Sequence, residues 1–218
     1  MCLKKFNYEE KTVLWSVTIK KFFRSKKKNL KKFINSKKIN QSFFKNNKKI
    51  IIEIGSGNGE NLFFLSKKFP RKKIIGIEPY KNGLANISDY CIKNKINNIY
   101  LYPFVFDKFK EKYKNYLFEK CYIFFPDPWP KKKHQKRRLV NHQFLIDIVS
   151  HSNLKGQIYF GTDNQQYFND VKTHVKNLKK EYKINIKCFK KTPTTITKYH
   201  NRALKLKNKV NFLKIEKL

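Results

Sequence analysis

The sequence predicts an α/β fold: a doubly wound, mostly parallel sheet of seven strands, preceded by a basic N-terminal extension. Three observations carry this. Short, nearly continuous apolar runs such as Ile50–Ile54 and Lys73–Ile77 read as strands buried on both faces. From Lys49 onward such runs alternate with stretches of helical length, which is the order of a parallel sheet with crossover helices. The first run ends in a glycine-rich turn, at the sheet edge where folds of this class bind ligands.

The elements follow in order. Ile50–Ile54 is the first strand, and Asn61–Phe69 is a helix candidate after the turn. Lys73–Ile77 is the second strand, closed by Glu78-Pro79, and Leu84–Lys95 the next helix. Ile99–Phe104 and Lys120–Phe125 read as strands, the latter stopped by Pro126. Val140–Ser152 reads as a helix, Gln157–Gly161 as a strand and Gln166–Tyr182 as a long helix. Ile184–Phe189 and Val210–Leu213 complete the seven strands. Right-handed crossovers place the C-terminal ends of the parallel strands on one edge. Residues 49–218 are thus expected to form the domain. Residues 1–48 form the extension, with an apolar patch at Val13–Val17 and Phe22, Phe23, Phe33 and Ile34 among the lysines of 20–38. It is expected to be partly ordered; the alternative is a basic arm that closes on RNA with its aromatics free to stack.

A net charge of +36 makes polyanions the natural partners, with tRNA, rRNA and DNA all allowed. Five of the 51 basic residues are Arg (Arg24, Arg71, Arg137, Arg138, Arg202). Lys in such excess, with abundant Asn and Ile, is what an AT-rich coding sequence yields, so the bulk charge permits a polyanion partner without identifying one. Cys2, Cys91, Cys121 and Cys188 lack the Cys-x-x-Cys spacing of a zinc site, and no metal is expected. Nothing suggests a disulfide framework, no apolar run has the length of a membrane span, and Glu9, Glu10 and Lys11 interrupt any secretory segment. A reducing, cytoplasmic setting without a membrane partner is therefore expected.

The turn Gly55-Ser56-Gly57-Asn58-Gly59 has G-x-G-x-G spacing, which is neither the dinucleotide fingerprint nor a P-loop. Glycines there let backbone pass close beneath a ligand. Glu78 stands 19 residues beyond Gly59, at the end of the second strand, where a carboxylate accepts hydrogen bonds from both hydroxyls of a ribose. Together they indicate a nucleoside cofactor, with S-adenosylmethionine favoured over NAD.

After the fourth strand, Phe125-Pro126-Asp127-Pro128-Trp129-Pro130 fixes its own backbone path with three prolines and holds Asp127 on the ligand edge. Lys131, Lys132, Lys133, His134, Lys136, Arg137 and Arg138 follow as a cationic cluster. Asp163 follows the fifth strand on the same edge, where it can serve a ligand, cap the next helix, or both.

With these motifs the chain resembles the bacterial tRNA (guanine-N7)-methyltransferase family. The resemblance spans roughly residues 20–213. It rests on EIGSGNGE (53–60), GIEPY (76–80), FPDPWPKKKHQKRR (125–138), TDNQQYF (162–168) and, less closely, TKYHNRA (197–203). It implies a Rossmann-like class I methyltransferase fold, S-adenosylmethionine as methyl donor and a guanine of tRNA as acceptor, in the variable loop. The resemblance assigns Glu53, Gly55, Gly57, Gly59, Glu78 and Asp127 to the cofactor site. Lys131, Asp163, Thr197, His200 and Arg202 stand at substrate-binding positions, and Asp127 at the catalytic one. The chain departs from the family at three places. His200 stands where the family has Glu, Ala203 follows Arg202 where it has Gly, and the Asp-Ala pair after the third strand falls on Val105-Phe106. Asp107, two positions on, is the expected substitute near the cofactor.

Guanine N7 carries a free lone pair, so its alkylation requires alignment rather than a strong base. The product ring is cationic and its N1–H more acidic, so a fixed carboxylate at the N1–H and N2–H₂ edge gains strength as charge develops. Asp127 is the expected carboxylate. The competing readings are a degenerate methyltransferase fold that only binds RNA, a methyltransferase acting on another substrate such as rRNA, and an NAD-linked oxidoreductase. An intact glycine loop with Glu78 and Asp127 opposes the first, and the glycine spacing opposes the last.

Overall fold

A computed structural model describes residues 28–45 and 49–218. The expectations for the extension that fall on Phe22, Phe23 and the patch at 13–17 lie outside the described residues.

The sheet has seven strands: β1 (Ile50–Ile54), β2 (Lys73–Ile77), β3 (Ile99–Tyr102), β4 (Phe118–Phe124), β5 (Ser152–Thr162), β6 (Ile184–Phe189) and β7 (Asn211–Lys217). Their spatial order is β3-β2-β1-β4-β5-β7-β6. The first five strands pair in parallel, whereas β7 pairs antiparallel with both β5 and β6. The chain order reverses between β1 and β4, and that switch point opens a crevice at the strands' C-terminal ends.

The helices are α1 (28–36 of the described residues), α2 (Ser42–Lys45), α3 (Glu60–Lys68), α4 (Lys81–Lys93), α5 (Phe106–Lys112), α6 (His142–Ser150), α7 (Gln165–Leu178) and α8 (Lys198–Lys205). Period-two alternation divides the strand side chains between two cores. Ile50, Ile52, Ile54, Ile75 and Ile77 pack with residues of α2, α5, α6 and α7. Ile51 and Ile74 pack on the other face with α1, α3 and α4. Glu53 and Gly76 occupy that second face in β1 and β2, paired to each other in the ladder.

Several boundaries differ from the sequence expectation; β3 ends at Tyr102 rather than Phe104, and β7 runs from Asn211 to Lys217 rather than from Val210 to Leu213. The stretch 140–152 is not one helix: α6 stops at Ser150, and Ser152 already belongs to β5, which is eleven residues long. Helix α7 ends at Leu178, not Tyr182. Helices α5 and α8 were not foreseen. The described part of the extension is built into the domain. Phe33 is buried in one core, and Phe43 and Phe44 in the other. Between them Lys37 Nζ donates to the Ile96 carbonyl, Gln41 Nε2 to that of Lys112, and Tyr113 Oη to that of Ile39.

Candidate active site

The turn after β1 is shaped by three left-handed glycines, at φ 79°, 53° and 89°. The Gly59 N–H closes it on the Ser56 carbonyl at 2.8 Å, and the Gly55 N–H ties it to Ile77 of β2 at 2.9 Å. Gly55 and Gly57 line a cavity of about 440 Å³, within the ordinary range for small-ligand sites. Gly59 does not line it. A Cβ on Gly59 would lie 2.5 Å from Ile87, so its role is the close approach of α3 to α4.

Glu78 ends β2 on the wall of the same cavity. Its Oε2 accepts from the Gly57 N–H at 2.7 Å and its Oε1 from the Tyr80 N–H at 2.8 Å. Each carboxylate oxygen keeps a second acceptor site for a ligand hydroxyl. Glu53 lies beneath the loop, 4% exposed, and its Oε1 accepts from Asn61 Nδ2 at 2.9 Å. Its Oε2 is buried with no protein partner among the described residues. Burial, opposed by the Asn61 hydrogen bond and reinforced by Glu60 and Glu78, pushes this carboxyl up to about 8.

The third wall comes from β4. Phe125 and Trp129 both have positive φ, 52° and 42°, an unusual conformation for bulky residues that persists where the surroundings over-determine it. Here they do. The Phe125 N–H donates to the Gly161 carbonyl at 2.7 Å. Arg137 stacks 5.1 Å over the Trp129 ring, and the His134 ring meets it edge-on at 5.9 Å. Arg138, buried, donates from Nε to the Pro128 carbonyl at 2.7 Å, pairs with Asp170 and lies 4.9 Å over the Tyr167 ring. Tyr167 is fully buried, and its hydroxyl accepts from the Val140 N–H. The loop is thus pinned on both sides of Asp127, which is exposed on it.

Asp127 lines two cavities. One is the glycine-loop cavity, shared with Gly57 and Glu78; the other is a cleft of about 240 Å³ that also holds Asp163, Tyr199 and Arg202. Asp163 accepts from Asn208 Nδ2 at 2.8 Å. It is not the cap of α7, because Asn164 fills that position and accepts from the Tyr167 N–H.

The remaining expected site residues divide. Thr197 is the N-cap of α8, accepting from the His200 N–H, and Lys131 stands exposed just before the 3-10 turn at Lys132–Arg137; neither lines the two cavities. His200 is 6% exposed, with its ring 5.5 Å from Phe125 and 5.7 Å from Phe212. Burial lowers its pKa, so it is a neutral packing residue under the loop rather than a lining one. Asp107 is not brought to the cavity. Its side chain is 72% exposed on the first turn of α5 and faces Lys110 at 3.4 Å, while Val105 and Phe106 line the cavity in its place.

Sequence reasoning missed Tyr199. It is 56% exposed and borders both cavities, and its ring lies 3.6 Å from where a Cβ on Gly57 would project. The signal available was its place two residues after the cap Thr197, which turns it toward the glycine loop. Among the described residues no cluster of side chains could hold a metal ion, and no helix is long and apolar enough to cross a membrane.

The architecture fits a nucleoside-bearing methyl donor. Two loop glycines leave backbone bare on the cavity wall, a carboxylate stands at the adjacent strand end, and a second carboxylate reaches the cavity from β4. Comparison with known proteins agrees. Residues 47–213 match the family model described as "Putative methyltransferase". The tRNA (guanine-N(7)-)-methyltransferase of Wolbachia pipientis wMel is 35% identical over 169 residues, which cover 76% of this chain and 74% of that protein. The protein of the same name from Buchnera aphidicola (Acyrthosiphon pisum, strain 5A) is 34% identical over 161 residues, 71% of this chain and 66% of the relative. Among solved structures, one described as "a putative methyltransferase from streptococcus mutans in complex with SAH" superposes with a TM-score of 0.52 at 14% identity, covering 82% of this chain and 93% of that one.

Proposed function

This chain belongs to the tRNA (guanine-N(7)-)-methyltransferase family, whose reaction we infer it carries out: transfer of a methyl group from S-adenosylmethionine to N7 of a guanine in tRNA. The observation that carries the reading is the position of Asp127, the carboxylate shared by the glycine-loop cavity and the cleft beside it. We place the target guanine in the variable loop and the enzyme in the cytoplasm.

S-adenosylmethionine, when bound, supplies an electrophilic methyl on a sulfonium. Glu78 would hold its ribose hydroxyls, and the bare backbone of Gly55 and Gly57 its neighbouring atoms. Guanine N7 needs no deprotonation, so the chain's task is to orient the base and exclude other approaches. Asp127, with its flanking residues pinned by Arg138, Arg137 and the Phe125–Gly161 bond, would accept from the N1–H and N2–H₂ edge. That interaction tightens as positive charge reaches the ring. Asp163 and Arg202 share the cleft and would contact the same nucleotide, while Thr197 holds α8 and Tyr199 in place.

The decisive experiment incubates the protein with methyl-labelled S-adenosylmethionine and unmodified bulk tRNA, followed by nucleoside analysis. Label in 7-methylguanosine is the expected result. Label in another nucleoside would overturn the acceptor, and absence of both label and S-adenosylhomocysteine binding would leave a fold that only binds RNA.

A further inference from the structure

Helix α8 presents Lys198, Arg202 and Lys205 at intervals of four and three, which puts them on one face. All three line a cleft of about 680 Å³, together with Tyr199, Asn201 and Leu206 of the same segment and Asn58 of the glycine loop. None of the three is in a salt bridge among the described residues, and Glu60, at the N-terminal end, accepts from the Lys198 backbone rather than its side chain. In a chain with 51 basic and 15 acidic residues, a lysine without a carboxylate is ordinary. Position is what distinguishes these. Tyr199 and Arg202 also line the Asp127–Asp163 cleft, so the two depressions share a wall.

The signs of charge in these neighbouring depressions are opposed. The smaller one carries two carboxylates against the single cation Arg202, which it shares with the larger; its carboxylates suit the donor edge of a base and repel a phosphate. The larger carries three cations and two side-chain amides, which suit a phosphate and offer a base edge little discrimination. A nucleotide whose base enters the first must leave its sugar-phosphate at the rim, and the rim on the α8 side is the second. We propose that the α8 cleft binds the RNA phosphodiester backbone flanking the target guanosine, with Lys198 and Lys205 as its phosphate contacts. This rests on the tRNA reading above.

The test measures tRNA affinity across a salt series for wild type, K198A/K205A and a control pair, K67A/K176A. The control lysines lie in the last turns of α3 and α7, at the opposite sheet edge. Each phosphate contact contributes about 0.7 to 0.9 to the slope of log affinity against log salt. The α8 pair should therefore flatten the slope by about 1.5 and raise KM for tRNA about tenfold or more, while the control pair leaves both near wild type. S-adenosylhomocysteine affinity reports an intact fold in each variant. A slope and KM equal to those of the control pair would overturn the proposal. If the double variant does not fold, K205A alone should show about half the slope change, and an unchanged slope there overturns it equally. Wild-type protein that makes no 7-methylguanosine would instead overturn the reading beneath it.

Discussion

Replacing Glu53 by Gln should stabilise this protein, and by an amount that depends on pH. The Glu53 carboxyl is buried and pushed up from 4.5 to about 8, chiefly by loss of hydration. Its folded value lies above its unfolded one, so the native state keeps a proton that the unfolded chain releases. Stability is then full below pH 4.5, falls as pH rises, and levels off above about 8, where both states are ionised. Each pH unit inside that window is worth about 1.4 kcal/mol, so at pH 7 wild type has lost about 3 kcal/mol relative to its acid limit. That is a large part of the roughly 5–15 kcal/mol that holds a typical domain together. Gln at this position keeps an oxygen to accept from Asn61 Nδ2 and cannot ionise. Urea unfolding of wild type and E53Q, followed by far-ultraviolet circular dichroism at a series of pH values, isolates this one group from all the others. The stability gap should widen steadily from about pH 4.5 to 8 and then stay constant. A gap that is flat across that range would show that the carboxyl ionises as it does in water, and would refute the argument from burial.

Asp127→Asn, assayed with tRNA saturating, should lower kcat by about 10²–10³, the usual scale for losing one preorganised electrostatic group; unchanged turnover would remove Asp127 from the reaction. Glu78→Gln leaves one of two backbone donors, Gly57 or Tyr80 N–H, without its acceptor, so S-adenosylhomocysteine should bind about 10- to 100-fold more weakly by calorimetry. Equal affinity would show that the loop is held without it. Gly59→Ala, at φ 89° with its new Cβ 2.5 Å from Ile87, should cost about 2–3 kcal/mol in urea unfolding. A loss below about 0.5 kcal/mol, the scatter of neutral surface changes, would mean that α3 and α4 part without strain.

What was legible in the sequence follows the strength of the physical signal. Strands β1 and β2 are buried on both faces, and their isoleucine runs announce this directly. The Pro-Asp-Pro loop is legible because prolines restrict the chain whatever surrounds them. Helix α8 was missed because of its eight residues only His200 and Ala203 are buried, leaving hardly an apolar stripe to detect. Helix α5 is seven residues long with two buried phenylalanines, too short for a period to emerge. Asp107 was placed by distance along the chain. Once Phe106 starts a helix facing the core, the next residue must turn outward, and the carboxylate leaves the cavity. Asp163 and Asn164 are both good caps, and a one-residue difference in where β5 ends decides between them.

The strap from Phe33 to Phe44 bears on what counts as the unit of this protein. The stretch matching the family begins at residue 47, after all three buried phenylalanines. The matched stretch is therefore shorter than the stretch that closes the two cores. A chain cut to the matched residues would lose an aromatic plug from each side of the sheet, so the folding unit begins at least as early as Phe33.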